Sequence, residues 1–341
     1  MKRAGERSVL FEGGAFVSAS ACTAGKKEGE GPLGATFDEI ISDDLLGTDT
    51  WEKAESELFK KAVKLCVQKR GKTMDEIGAL FAGDLNAQII SSGFAARELG
   101  VPFMGMYGAC STMIESMLTG AVFVSSGAVS PVIAAASSHF CTAERQFRTP
   151  LELGTQRPPY AQWTATAAGA CMIESEKTDI EVASGTIGRV IDLKIKDASH
   201  MGAAMAPAVA DTLFGHLDDL KIGLSEYDKV ITGDLGKYGL EILKDLVKKK
   251  IKEFPTDLFY DCGANLYSDD QDTHAGGSGC GCIAGVLSGH IMNLLKDGTY
   301  QNILLLGSGA MMSVTSSLQG ESIPSISYAV TLKRCCSGKC N

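Results

Sequence analysis

The sequence predicts an α/β fold made of two duplicated halves, each built around a mainly parallel central sheet. Three observations carry that reading. The segment "IGALFAGDL" at 77–85 is echoed by "YDKVITGDL" at 227–235, each a short apolar, strand-like run closing on Gly-Asp-Leu. A second echo follows: "GACSTMIESMLTGAV" with "SPVIAAASSH" has the plan of "GGSGCGCIAGVLSGHIMNLLKDG" with "YQNILLLGSGAM". In both, a Gly-rich turn leads to a Cys or small residue opening an apolar helix, and an apolar strand ends in Ser or Gly. The echoes come in the same order, at offsets of about 150 and about 170 residues, and the difference fits an insertion in "KEFPTDLFYDCGANLYSDDQDTHA". Repeated strand–helix–strand units of this kind build parallel sheets, whose ligands gather beyond the carboxyl ends of the strands.

Taken in chain order, "DTWEKAESELFKKAVKLCVQKRG" reads as a helix with Trp51, Ala54, Leu58, Ala62 and Leu65 on one face and a stop at Gly71. Thr73 and Glu76 have capping-box spacing before the first Gly-Asp-Leu strand, and Ser225 is expected to cap the turn before the second. "YGACSTMIESM" reads as a tight turn feeding a helix, with Cys110 at the junction; a thiol there meets the positive end of the helix dipole, which favours the thiolate. "APAVADTLFGHLDDL" and "EILKDLVKKKIKEF" are amphipathic helices, and the Lys run at 248–250 is a solvated face. The halves are expected at 1–195 and 196–341.

With 341 residues, 45% hydrophobic and 21% charged, the chain can bury a sizeable core. A net charge of −9 argues against a nucleic-acid partner and gives no general attraction to an anionic bilayer. No apolar run reaches the roughly 18 to 20 residues of a spanning helix. The N-terminus lacks the apolar stretch of a signal peptide, so a cytoplasmic location is expected. Most of the 11 cysteines, such as Cys22, Cys66 and Cys171, sit in apolar segments as small reduced hydrophobes.

The motifs "EGPLG" (30–34), "AGDL" (82–85), "GACST" (108–112), "SSHFCTAERQFR" (137–148), "MAPAVADT" (205–212), "TGDLG" (232–236), "DCG" (261–263) and "GGSGCGC" (276–282) span nearly the whole chain in order. A duplicated α/β chain with a Cys opening the central helix of its first half resembles the thiolase-like superfamily. With these motifs it resembles, within that superfamily, the stage V sporulation protein AD family. The resemblance implies a five-layered αβαβα thiolase-like fold, a homodimer, and a protein of spore-forming bacteria. It also implies a role in moving dipicolinic acid (pyridine-2,6-dicarboxylate) into the developing spore alongside membrane proteins of the same operon. The location would be peripheral, on the cytoplasmic side of the forespore or spore inner membrane, and the ligand would be bound without turnover and without a cofactor.

Thiolase-like condensing enzymes pair a Cys nucleophile with His/His or His/Asn, which activate it and stabilise the oxyanion. By resemblance Cys110 holds the nucleophile's place. Gly233 or Asp234 stands where a His is expected, and Ser278 and Cys280 stand where an Asn or His is expected. Cys110 therefore reads as a pocket residue, with a working nucleophile and a plain buried residue as the other options. The expected ligand-binding set is Cys110, Asp84, His139, Asp234, Gly277, Ser278 and Cys280, with no metal. Within it, Asp84 and Asp234 either satisfy their own turns or face the pocket. Near a dianion they would repel unless protonated or bridged by Ca²⁺. Helix N-termini after Gly108 and Gly279 offer donors to the ligand's carboxylates. Arg145 and Arg148 pair with a carboxylate ligand or form structural ion pairs, and "CGC" and "RCCSGKC" lack the second pair of a structural zinc site. The alternative is an acyl-CoA or acyl-carrier-protein thiolase or ketoacyl synthase-type acyltransferase using Cys110. A degenerate structural partner is a third option.

Overall fold

A computed structural model describes residues 1–147, 156–255 and 257–335. Two five-stranded units repeat the same plan. The first contains β1 (Phe16–Gly25), β2 (Ala79–Asp84), β3 (Phe103–Gly105), β4 (Val132–Ser138) and β5 (Ala167–Glu174), in the spatial order β3-β2-β4-β5-β1. The second contains β6 (Ile180–Thr186), β7 (Lys229–Thr232), β8 (Phe259–Asp261), β9 (Asn302–Ala310) and β10 (Ser325–Arg334), in the order β8-β7-β9-β10-β6. In each unit four strands point one way and the last, β5 or β10, runs against them. The units meet where Glu181 of β6 pairs with Phe16 of β1. The repeat thus begins again at Ile180, and residues 180–195 carry the first strand of the second half, not the end of the first.

Five layers follow from which helices cover which faces. Helices α1 (Trp51–Lys69) and α2 (Ile90–Leu99) cover the outer face of the first sheet. Helix α3 (Thr112–Ser125) and α6 (Cys280–Val286) lie between the sheets; α6 runs on through a π-helical turn to Lys296. Helices α4 (Met201–Leu220) and α5 (Gly236–Lys250) cover the second sheet's outer side. The central helices are apolar nearly all round, as a helix sandwiched between two sheets must be: Met113, Ile114, Met117 and Ala121 of α3 and the whole of α6 are buried. Two glycines allow this closeness. A Cβ on Gly169 of β5 would lie 2.0 Å from the Ala284 carbonyl oxygen of α6, and one on Gly307 of β9 would lie 3.0 Å from Ile114 of α3.

The local expectations stand in most places. Thr50 caps α1, Ala54, Leu58 and Ala62 are buried, and Gly71 follows the helix with φ +73°. The buried face is wider than one stripe, however, because α1 lies beneath α2 as well as on the sheet, and Glu55, Phe59, Val63 and Cys66 are buried too. Thr73 and Glu76 form their capping box. Ser225 does not cap its turn: Gly223 takes the cap position and Ser225 lies inside the 3-10 turn Leu224–Glu226. Lys248, Lys249 and Lys250 are exposed. Beneath α4, buried His216 lies 2.7 Å from Thr186 Oγ1 and 2.7 Å from the Tyr227 hydroxyl; burial lowers its pKa to about 4. Among the described residues no helix is long and apolar enough to cross a membrane.

Candidate functional site

The carboxyl ends of β2, β4, β7 and β9 and the starts of α3 and α6 converge at the middle of the molecule. The turn that presents Cys110 is tightly tied. Ser111 Oγ donates to the Gly108 carbonyl (2.6 Å), and Thr112 Oγ1 donates to the Ala109 carbonyl (2.7 Å) while accepting from the Gly108 N–H (3.1 Å). Ala109 is left-handed, with φ +52°, a conformation that strains a residue bearing a Cβ. Such strain often marks a site.

The Cys110 thiol is 7% exposed and lies beside the Asp234 carboxylate and the Gly279 N–H. Burial first, and then the negative charge of Asp234, hold its pKa well above that of an ordinary thiol. This overturns the expectation of a thiolate favoured by the helix dipole. A dipole at a helix start contributes about 0.3 to 1 kcal/mol, and here it is outweighed by loss of water and an adjacent carboxylate.

Asp234 itself is fully buried. Its carboxylate accepts from Ser278 Oγ (3.0 Å), from the Gly279 N–H (2.8 Å) and from Ser308 Oγ (2.8 Å). Burial nevertheless lifts its pKa to about 6. The donors expected for an external carboxylate at the start of α6 are therefore already in use: Gly279 N–H serves Asp234, and Gly281 N–H serves Ser138 Oγ (3.1 Å). Gln162 clamps the two turns together, its Nε2 donating to the carbonyls of Asp234 (2.8 Å) and Gly277 (2.7 Å).

The first-half counterpart behaves differently. Asp84 accepts from the Asn86 N–H (2.9 Å), the Ser92 N–H (2.7 Å) and Ser92 Oγ (2.7 Å), so it closes its own turn onto α2. Behind it Glu55 of α1 is fully buried and accepts from Ser137, Asn86 and Thr142; burial, then the charge of Asp84, pushes its pKa up to about 8. In the second half the turn is closed from the neighbouring strand. Asp261, at the end of β8, accepts from the backbone of Leu235 (2.9 Å), Gly236 (3.0 Å) and Ala264 (2.8 Å) and from Thr232 Oγ1 (2.6 Å).

The remaining expected residues divide. Gly277, Ser278 and Cys280 adjoin Asp234, although the Cys280 thiol donates to the Ser137 carbonyl (2.9 Å). His139 has both ring nitrogens engaged away from Cys110: Nδ1 accepts from the Cys141 N–H (3.1 Å), which leaves Nε2 to donate to the Asp44 carbonyl (2.9 Å), and the ring lies 5.6 Å from that of Trp51. Arg145 pairs with Glu52, and Arg148, Cys336 and Cys340 lie outside the described residues. Sequence reasoning missed Glu55, Gln162, Asp261 and Ser308. Asp261 carried a signal, since it opens the quoted "DCG" motif, and Ser308 is the Ser that ends the second apolar strand; Glu55 lies one place off the apolar stripe of α1.

A family model described as stage V sporulation protein AD matches residues 5–333. The stage V sporulation protein AD of Bacillus subtilis (strain 168) is 41% identical over 335 residues, covering 98% of each chain. The chain belongs to the stage V sporulation protein AD family. This sporulation protein has the fold of solved 3-oxoacyl synthases and OleA. A 3-oxoacyl-[acyl-carrier-protein] synthase III from Aquifex aeolicus VF5 superposes with TM-score 0.58 at 12% identity, over 94% of this chain and 100% of that one. An OleA variant from Xanthomonas campestris superposes with TM-score 0.61 at 16% identity, over 95% and 99%. At such identities the likeness shows the thiolase-like fold alone. In this sporulation protein the central sulfur lies beside a carboxylate that two serine hydroxyls hold in place.

Proposed function

We propose that this protein binds dipicolinate without turning it over and serves its uptake into the developing spore. The observation that carries the reading is the pairing of Cys110 with Asp234. A nucleophilic Cys needs a neighbour that takes its proton and another that stabilises an oxyanion. A buried carboxylate beside a thiol supplies no oxyanion donor: it would repel a developing oxyanion, and its charge favours the protonated sulfur. The turns around it are made of small residues, Gly108, Ala109, Ser111, Gly277 and Ser278, and can approach a flat ring closely. Among the described residues no group of three or more His, Cys, Asp or Glu side chains is arranged to hold a metal. In the calcium-chelate form of this reading, the ion arrives with the ligand.

The working unit in this reading is a homodimer, peripheral at the forespore inner membrane, acting with membrane proteins of the same operon. The edge strand β3, with its exposed Phe103 and Met104, supports pairing with a second copy. Calorimetry and thermal shift with dipicolinate, phthalate and acetyl-CoA test the function. Dipicolinate is expected to bind saturably and to add about 2.7 kcal/mol of stability at a hundredfold excess over its dissociation constant. Steady turnover of acetyl-CoA, lost in Cys110→Ala, would establish the acyltransferase instead. No shift with any of the three ligands would leave a purely structural partner.

A further inference from the structure

We infer that this site takes up a proton from solvent with each dicarboxylate it binds, because among the described residues the buried Asp234 carboxylate facing Cys110 has no cation beside it to balance a second negative charge. The inference rests on the dipicolinate reading above. Every element around Asp234 contributes a neutral or acidic group. Cys110 faces it from the turn before α3, Cys280 and Cys282 from α6, and Cys262 from the short helix Cys262–Leu266. Ser278 and Ser308 donate hydroxyls, Gln162 binds the backbone, and the other carboxylate in range is Asp261. Among the described residues no Lys, Arg or His forms a hydrogen bond or ion pair with Asp234.

A ligand carboxylate that reaches this turn meets donors already serving Asp234, namely Ser278 Oγ–H and the Gly279 N–H. Two carboxylates sharing donors in a water-poor site cannot both stay ionised, and one of them keeps a proton. A pyridine dicarboxylate is the stronger acid of the two, so the proton resides on Asp234, whose new O–H donates to the ligand. In the free protein Asp234 ionises near pH 6 (its pKa is about 6), so near neutral pH the proton is drawn from solvent. The balance is one carboxylate plus one proton plus one dianion, giving one carboxylic acid hydrogen-bonded to one dianion. No electron moves, and no co-reactant is required.

Calorimetry of dipicolinate binding to the full chain at about pH 7.5, in buffers of differing ionisation enthalpy, reads the proton count directly. The expected result is a heat that varies linearly with buffer enthalpy, with a slope close to one proton taken up. Affinity should fall about tenfold for each unit of pH above neutrality. In Asp234→Asn the slope should vanish and the affinity should become flat with pH. Binding with a heat independent of buffer overturns the inference while the dipicolinate reading survives. Binding only with Ca²⁺, at zero proton count, also overturns it, because the metal then balances the charge. No dipicolinate heat at any pH, with or without Ca²⁺, overturns the underlying reading itself. The wild-type proton count decides the matter even if the variant folds poorly.

Discussion

The two Gly-Asp-Leu turns occupy equivalent places in the two halves, yet their aspartates have different jobs. Asp84 folds back on its own turn and ties it to α2, with Glu55 of the outer helix behind it. Asp234 leaves its turn to Asp261 of the neighbouring strand and crosses to the centre, where it meets Ser278, Ser308 and Cys110. A duplicated backbone thus carries an asymmetric pair of carboxylates. The lesson is that repetition preserves strand order and turn position, while the direction of one side chain depends on which neighbour supplies the turn's acceptor.

The strongest way to break this comparison is to remove the acceptors. Asp84→Ala strands the N–H groups of Asn86 and Ser92, Asp261→Ala those of Leu235, Gly236 and Ala264, and both are expected to lose on the order of 3 to 5 kcal/mol in urea unfolding. Asp234→Asn keeps its shape and part of its hydrogen bonding and is expected to lose less than about 2 kcal/mol. Equal losses for Asp234→Asn and Asp261→Ala would mean that Asp234 is as structural as its counterpart.

A smaller effect separates the halves by pH. Glu55 binds a proton in the folded state up to about pH 8, whereas the ordinary glutamate value of 4.5 applies to the unfolded chain. Its contribution is complete below about 4.5 and declines as pH rises to about 8. His216 behaves oppositely: its folded pKa of about 4 lies below the unfolded 6.5, so its contribution is complete above 6.5 and declines as pH falls to 4. Stability measured across this range should therefore fall toward both ends. Glu55→Gln is expected to flatten the alkaline limb, and His216→Gln the acid limb, each by on the order of 2 kcal/mol. Unchanged limbs in these variants would assign the slopes to other groups.

Reactivity of the sulfurs sharpens the picture of the centre. At mildly alkaline pH, alkylation followed by mass spectrometry should label the half-buried Cys141 well before Cys110. Preferential labelling of Cys110 would show an activated thiol and favour acyl chemistry. The smallest expected effect is at Ala109, where glycine relieves the left-handed strain; Ala109→Gly should gain about 0.5 kcal/mol, read as a small rise in the urea midpoint. A loss there would mean that the Ala109 methyl contributes packing that outweighs the strain.

Much of the architecture was legible because it is written in local periodicity. The apolar runs of β2, β7 and β9, the amphipathic α1 and the apolar central helices each declare themselves within a few residues. Of the residues read as a ligand-binding set, the structure brings Cys110, Asp234, Gly277 and Ser278 together, and Cys280 adjoins them while pointing its thiol to Ser137. Asp84 and His139 come from the right strand ends but have their polar atoms engaged elsewhere. No spacing in the sequence reveals that Gln162 clamps Asp234 from 72 residues away, or that Ser308 reaches it from 74.

The sequence by itself determined the duplicated α/β plan and the apolar central helices, since each follows from short-range pattern. Tertiary structure alone decided which carboxylate closes a turn and which faces the sulfur, and hence that Cys110 is held as a thiol. Burial and charge proximity set those outcomes. Both are properties of the assembled layers, because water is excluded from Cys110 only once two sheets and two helices have closed around it.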